Sequence, residues 1–286
     1  MFKLGCQVSI AGKIYNSVEK ALELGCNTMQ IFSRNPRQWR KASIDEEDIK
    51  IFKEKVKQAK IKPVAIHIPY TLNLASSKRK FYKITIKEFI LDLLEADKLG
   101  ADYLITHMGS FKGGTETGGL LRIVNALKKI LKETQGVKTG ILLENTSGSG
   151  RWLGYTFSQQ KFVLERLEWT ERLGICLDTA HAWAAGYRIN NASGLDNLLG
   201  EFDNEVGLRR LKVIHLNDTK EELNSRHDRH AAIGEGKIGK YGFSLIINHS
   251  RLKSLPFILE TPKKSENDDI KNLRIVRELY DGKLEK

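Results

Sequence analysis

Ile86-Lys87-Glu88-Phe89-Ile90-Leu91-Asp92-Leu93-Leu94-Glu95-Ala96-Asp97-Lys98-Leu99-Gly100-Ala101-Asp102-Tyr103-Leu104-Ile105-Thr106-His107 carries one helix and one strand, and the rest of the chain repeats that unit. Ile86, Phe89, Ile90, Leu93 and Leu94 recur at i, i+3, i+4, i+7 and i+8, the apolar stripe of a helix that lies on a core. Gly100 stops the pattern. The run Asp102–Thr106 follows, short and rich in apolar residues, as expected of a parallel strand buried on both faces. Runs of the same kind stand at Leu4–Ile10, Thr28–Phe32, Pro63–Ile66, Gly140–Leu143, Gly174–Leu177, Leu211–Ile214 and Pro256–Leu259. Helical patterns separate them. One runs through Leu120, Ile123, Val124, Leu127, Ile130 and Leu131 to a stop at Gly136. Another, through Ile49, Phe52 and Val56, is read as opening on a capping box of Ser43 and Glu46. Asn191–Glu205, between the sixth and seventh strands, is only weakly periodic.

Eight strands alternating with helices in 286 residues predict an α/β protein built as one (β/α)8 TIM barrel spanning residues 1–286. The main rival, a doubly wound open sheet, would show a Gly-rich strand-to-helix turn of nucleotide-binding form, and the chain has none. With 41% hydrophobic and 29% charged residues the chain can fill a core, which excludes a disordered protein. Apolar runs such as Ile141-Leu142-Leu143 are too short to span a membrane. No signal-peptide stretch follows Met1, and the three scattered cysteines, Cys6, Cys26 and Cys176, argue against a disulfide framework. A soluble cytoplasmic protein is therefore expected. The net charge of +12 raises the question of a polyanionic partner.

Six successive strands end in a residue that can bind a metal: His67, His107, Glu144, Asp178, His215 and Glu260. They recur at intervals of 34 to 45 residues, about one strand and helix each. A parallel barrel sends every strand's C-terminal end to one mouth, so these six should converge there. Any one of them alone would read as a hydrogen-bonded structural group. Together, unpaired imidazoles and carboxylates at one mouth would cost several kcal/mol unless cations neutralise them, and mixed His and carboxylate donors suit zinc or another transition metal better than calcium or magnesium. Asp178-Thr179-Ala180-His181 adds a second imidazole after the sixth strand, and Arg226-His227-Asp228-Arg229-His230 follows the seventh. In extended chain Asp228 and His230 point the same way, so His181, Asp228 and His230 could make a further three-ligand site with open positions. His227 would turn to the surface, His249 reads as structural, and Cys176 reads as core. Nine such donors exceed the needs of one ion, and a cluster of two or three suits phosphodiester hydrolysis.

With these residues the chain resembles the endonuclease IV family, the zinc-dependent abasic-site endonucleases. The resemblance runs from Gly5-Cys6-Gln7-Val8-Ser9 to Leu259-Glu260-Thr261-Pro262. It is most specific at Cys176-Leu177-Asp178-Thr179-Ala180-His181-Ala182-Trp183-Ala184-Ala185-Gly186-Tyr187, at His215-Leu216-Asn217-Asp218-Thr219-Lys220, and at Ser225-Arg226-His227-Asp228-Arg229-His230 with Ile233-Gly234-Glu235-Gly236. It implies three zinc ions and incision of double-stranded DNA on the 5′ side of an abasic site, leaving a 3′-hydroxyl, with removal of 3′-blocking groups as an added expectation. His67, His107 and Glu144 would hold the first zinc. Glu144 would bridge to a second, completed by Asp178, His215 and Glu260, and His181, Asp228 and His230 would hold the third. Glu144 and Glu260 are the two side chains expected to serve catalysis directly. By the same resemblance Arg37, in Arg34-Asn35-Pro36-Arg37-Gln38-Trp39, and Tyr70 would bind DNA by entering the duplex at the lesion. Arg34 and Arg40 with Trp39 suit phosphate contacts and stacking. Three positions depart from the family: Gln7 where His is usual, Ala180 for Cys, and Asn224 for Gly. Gln7 matters most, because it could alter hydrogen bonding around the ligands.

A metal-dependent sugar isomerase on the same barrel would leave the Asp228-Arg229-His230 group and the arginine loop unexplained. A DNA-binding protein with purely structural zinc would be expected to use closed, often cysteine-rich sites. The chain is expected to act as a monomer.

Overall fold

The computed structural model describes residues 2–34, 44–265 and 267–280. Eight parallel strands form the sheet: β1 (Lys3–Cys6), β2 (Met29–Phe32), β3 (Val64–His67), β4 (Tyr103–His107), β5 (Gly140–Glu144), β6 (Leu173–Asp178), β7 (Leu211–His215) and β10 (Pro256–Leu259). The small strands β8 (Asp218–Thr219) and β9 (His230–Ala231) pair antiparallel in a separate ribbon after β7. Each barrel strand pairs with the next in the chain, and β10 returns to pair with β1. The ring closes between β1 and β2 through a single bridge, Gln7 to Gln30. Closure there needs a glycine, since a Cβ on Gly5 would lie 1.9 Å from the Thr28 carbonyl oxygen. The expected TIM barrel is the fold observed. The first strand is shorter than the run Leu4–Ile10 and stops at Cys6, with Gln7 in the closing bridge.

Helices cover the sheet: α1 (Asn16–Glu23), α2 (Glu46–Ala59), α3 (Arg79–Lys98), α4 (Glu116–Glu133), α5 (Phe157–Arg166), α6 (Thr179–Ala185), α7 (Ala192–Glu205), α8 (Gly239–Asn248) and α9 (Asp268–Tyr280). The apolar stripe of α3 buries Ile86, Phe89 and Leu93, and that of α4 buries Ile123, Val124, Leu127 and Ile130. Gly100, just past α3, has φ +73°, a conformation that costs glycine little. The weakly periodic segment is a helix, α7, started by the Asn191 side chain, which accepts the Gly194 N–H. The start of α2 differs from the expectation. Its cap is Asp45, whose carboxylate accepts the Glu47 N–H, and Ser43 lies outside the described residues. Glu46 is thus the first helical residue rather than the third, and it cannot close a capping box. Among the described residues no helix is long and apolar enough to cross a membrane.

Candidate metal centre

Strands turn successive side chains to opposite faces, so residues two apart share the barrel interior. Ala65, Ile105, Leu142, Cys176, Val213 and Ile258 form a buried apolar layer inside the ring. Two residues further along the same six strands stand His67, His107, Glu144, Asp178, His215 and Glu260. The pleat therefore lays one polar ring on an apolar plug. Burial pushes the Cys176 thiol up to about 12, which keeps it a neutral member of that plug.

The donor atoms fall into three groups, each with its atoms within 4.8 Å of one another: His67, His107 and Glu144; Glu144, Asp178, His215 and Glu260; and Asp178, His181 and His230. Glu144 faces two ways. Its Oε2 lies 3.0 Å from His67 Nε2 and 3.2 Å from His107 Nε2, while its Oε1 lies 3.1 Å from His215 Nδ1. Asp228 joins the third group, with Oδ2 3.2 Å from His181 Nε2 and Oδ1 3.3 Å from His230 Nε2. Its side chain is 47% exposed, so this group is the most open to the solvent, with His107 of the first group lining the same cleft. All nine residues expected as ligands thus come together, and Asp178 reaches both the second and the third group.

The imidazoles are held with lone pairs facing inward. His67 donates Nδ1–H to the Ile68 carbonyl at 2.6 Å, His181 to the Asn145 carbonyl at 2.9 Å, and His230 to the Glu260 carbonyl at 3.1 Å. A carbonyl can only accept, so in each neutral ring Nε2 keeps its lone pair and points to the cluster. His215 is reversed, with Nε2 2.8 Å from Gln30 Oε1 and Nδ1 turned inward. His230 Nε2 is buried and makes no aligned hydrogen bond among the described residues; its neighbour is the Asp228 carboxylate at 3.3 Å, so the two present their lone pairs together to a ligand. These donors fit a divalent transition metal.

Charge tells the same story. Burial opposes the charged form of Glu144, but His107 and His215 outweigh it and hold the carboxyl well below the usual range. Burial also opposes protonation of His230, yet Asp228 and Asp178 raise it to about 9. His181 rises as well, against its burial, beside Asp178, Asp228 and Glu144. Without a cation the cluster takes up protons in its place.

Several residues that hold the ligands escaped the strand-end pattern. Asn217 donates from Nδ2 to Asp178 Oδ2 at 2.6 Å and accepts the Glu260 N–H at 2.7 Å. Asn145 accepts the Asp178 N–H at 2.6 Å. Asp218 accepts four backbone N–H groups, from Thr219, Gly234, Gly236 and Ile238, and so shapes the return of the loop that carries Asp228 and His230. Their positions beside the ligands in sequence were the available signal; for Gln30, on β2, there was none.

At the rim Tyr70 is 54% exposed and stacks on His107 at 5.9 Å between ring centres, with Phe32 edge-on at 5.6 Å. Trp152 stands edge-on to His107 at 5.7 Å and lines a cleft of about 420 Å³ with Ser147, Ser149 and Asp228. Arg37, Trp39 and Arg40 lie outside the described residues. Arg34 is a correction: it is buried, pairing with Glu88 at 2.5 Å and Asp92 at 3.0 Å on α3, and so anchors the start of its loop instead of offering a phosphate contact. His227 is exposed, 3.6 Å from Glu221. His249 ends α8 and meets Asp196 at 3.2 Å, in keeping with a structural role.

A family model described as a xylose isomerase-like TIM barrel matches residues 18–279. The chain is 40% identical over 278 residues to a probable endonuclease 4 of Halothermothrix orenii, covering 96% of this chain and 99% of that one. It is 41% identical over 281 residues to a probable endonuclease 4 of Cenarchaeum symbiosum, covering 97% and 99%. The crystal structure of endonuclease IV from Thermus thermophilus superposes with a TM-score of 0.87 at 33% identity, over 98% of this chain and 99% of that one. A D-tagatose 3-epimerase-like protein, at 19% identity and a TM-score of 0.72, shares the fold alone. The chain belongs to the endonuclease IV family.

Proposed function

We propose that the protein hydrolyses the DNA backbone on the 5′ side of abasic sites in duplex DNA, leaving a 3′-hydroxyl, and that it also clears 3′-blocking groups. The observation that carries this reading is the convergence of nine His, Asp and Glu side chains in three overlapping donor groups, with the buried imidazole nitrogens turned inward. His67, His107 and Glu144 would hold one zinc; Glu144, Asp178, His215 and Glu260 a second; His181, Asp228 and His230 a third. Bound zinc would supply Lewis acidity, neutralising phosphoryl charge and making a water acidic enough to react near neutral pH.

The rest falls to the chain's own groups. Glu144, with one oxygen toward His67 and His107 and the other toward His215, would be a ligand common to the first and second groups. Glu260 closes the second group from the last strand. The apolar plug shuts off the barrel from below, so substrate must come from the side where Asp228 is exposed. Tyr70 stands on that rim, suited to enter the duplex, and Arg37 is assigned the same task by resemblance. The charge of +12 favours a polyanionic substrate.

The test is a duplex carrying a tetrahydrofuran abasic analogue, which cannot undergo β-elimination. Zinc-loaded protein should cut it 5′ to the analogue and leave an end that a polymerase extends. Folded, zinc-loaded protein that leaves this duplex whole would overturn the proposal.

A further inference from the structure

Seven of the barrel strands bring to the mouth either a donor already described or, on β1, the amide of Gln7. The remaining strand, β2, carries Gln30, fully buried and level with Ala65 of the apolar plug. A carboxamide buried at that level is costly unless it is fully bonded. Gln30 Nε2 donates to Glu260 Oε1 at 2.6 Å and to Gln7 Oε1 at 2.8 Å. Gln30 Oε1 lies 2.8 Å from His215 Nε2.

This pattern has one consistent orientation. An ionised carboxylate can only accept, so the amino end of Gln30 must face Glu260, and its carbonyl must face His215. His215 Nε2 then carries the proton, and the lone pair sits on Nδ1, 3.1 Å from Glu144 Oε1 and 3.3 Å from Glu260 Oε2. The second Gln30 proton turns Gln7 so that its oxygen faces Gln30. Gln7 Nε2 is left buried without a hydrogen-bond partner among the described residues. Two features set His215 apart from His67, His181 and His230: it presents Nδ1 instead of Nε2, and a side chain instead of a backbone carbonyl holds its outer nitrogen.

Resting on the zinc reading above, we propose that Gln30 is a positioning residue of the second metal group. Its carboxamide selects the His215 tautomer and ties down the outer oxygen of Glu260, so that one side chain aims two ligands. Gln7 supports it by accepting its second proton. A backbone carbonyl at His215 would fix the ring equally well but could not also hold Glu260; only a group with both donor and acceptor ends does both.

The experiment uses zinc-loaded protein and reads metal and tautomer in addition to incision. In the wild type, ¹⁵N spectra of the histidine side chains should show His215 protonated at Nε2 and coordinating through Nδ1, with His67, His181 and His230 the other way round. Gln30→Met keeps the side-chain bulk and removes both ends of the amide. It should lose one zinc per chain to a competing chelator at about 10- to 100-fold lower chelator concentration, the usual effect of removing an outer hydrogen-bond partner, while the other zincs stay within about twofold. The His215 signals should move and those of His181 and His230 should not. Coordination of wild-type His215 through Nε2 would overturn the proposal, whether or not the variant folds. A folded Gln30→Met with unchanged zinc retention and unchanged His215 signals would also overturn it, leaving Gln30 as a merely satisfied buried amide. A wild-type chain that holds no zinc would overturn the metal reading itself, and this inference with it.

Discussion

Glu144 is the side chain on which the centre turns, because its two oxygens serve different imidazoles. Removing it takes a donor from two groups at once and leaves His67 and His107 without their shared carboxylate. Glu144→Ala should therefore abolish measurable incision and lower the zinc content per chain, a loss beyond the ~100-fold upper range for an outer hydrogen-bond partner. Near-normal cutting by that variant would refute its place between two metals. Tyr70 makes the opposite case. It is exposed and packs on His107 without occupying a donor position. In Tyr70→Ala, binding to lesion-containing duplex should weaken by about tenfold, in the ~1–3 kcal/mol range of a stacked aromatic, with zinc content unchanged. Metal loss in that variant would mean Tyr70 holds the cluster together instead. Arg34 shows where residue type misleads: its charge suggested phosphate, but a buried ion pair with Glu88 and Asp92 claims it.

Single elements also do two jobs. Asp178 ends β6 and caps α6, where its Oδ1 accepts the His181 N–H at 2.8 Å while Oδ2 faces Asn217 and the cluster. Capping thus sets the distance between two candidate ligands, and the first turn of α6 carries His181 to the third group. The loop after β7 depends on Asp218, whose carboxylate collects four backbone N–H groups from β8 and from Gly234 to Ile238. Burial raises the Asp218 carboxyl above its ordinary value, although those four donors pull it down. Asp218→Asn would set an amino group against N–H donors. It should cost roughly 2–4 kcal/mol in chemical denaturation, the scale for breaking a buried hydrogen-bond network. Because β9 holds His230, the same variant should shed zinc from the third group before the others. A variant with wild-type stability and full zinc would show that the loop is shaped without Asp218.

For the molecule as a whole, bound metal would balance a charge cluster that the barrel builds into its own interior. With zinc removed by a chelator, His230, lifted from an ordinary 6.5 to about 9, and His181, also raised, should carry protons in the folded state. A folded-state value above the unfolded one gives stability that is complete below about pH 6.5 and is lost as pH rises toward 9. Zinc binding runs the other way, since it needs neutral imidazoles and strengthens as they lose protons. The melting temperature of chelator-treated protein should therefore fall between pH 6.5 and 9, and its gap below the zinc-loaded protein should widen. A gap that narrows over that range would contradict this balance of protons and metal.

The order of strands and helices was legible along the chain, because strand and helix periods are local and each repeat buries the same kind of face. So was the ring of His67, His107, Glu144, Asp178, His215 and Glu260, because a parallel barrel sends every strand end to one mouth. Asp228 and His230 were legible from alternation in extended chain. The strand pattern did not reach Gln30 and Asn217, since each acts on residues of other strands that the barrel brings near, Gln30 meeting Glu260 across 230 positions, nor Asp218, whose four backbone donors gather only when its own loop folds back. Nor did it reveal the burial of Arg34 or the cap at Asp45, which depend on what packs or folds beside them. The sequence by itself determined the architecture and the donor types. Only the tertiary structure decided which nitrogen of His181, His215 and His230 faces the centre, because a hydrogen bond to the other nitrogen sets that choice, and its acceptor comes from elsewhere in the fold.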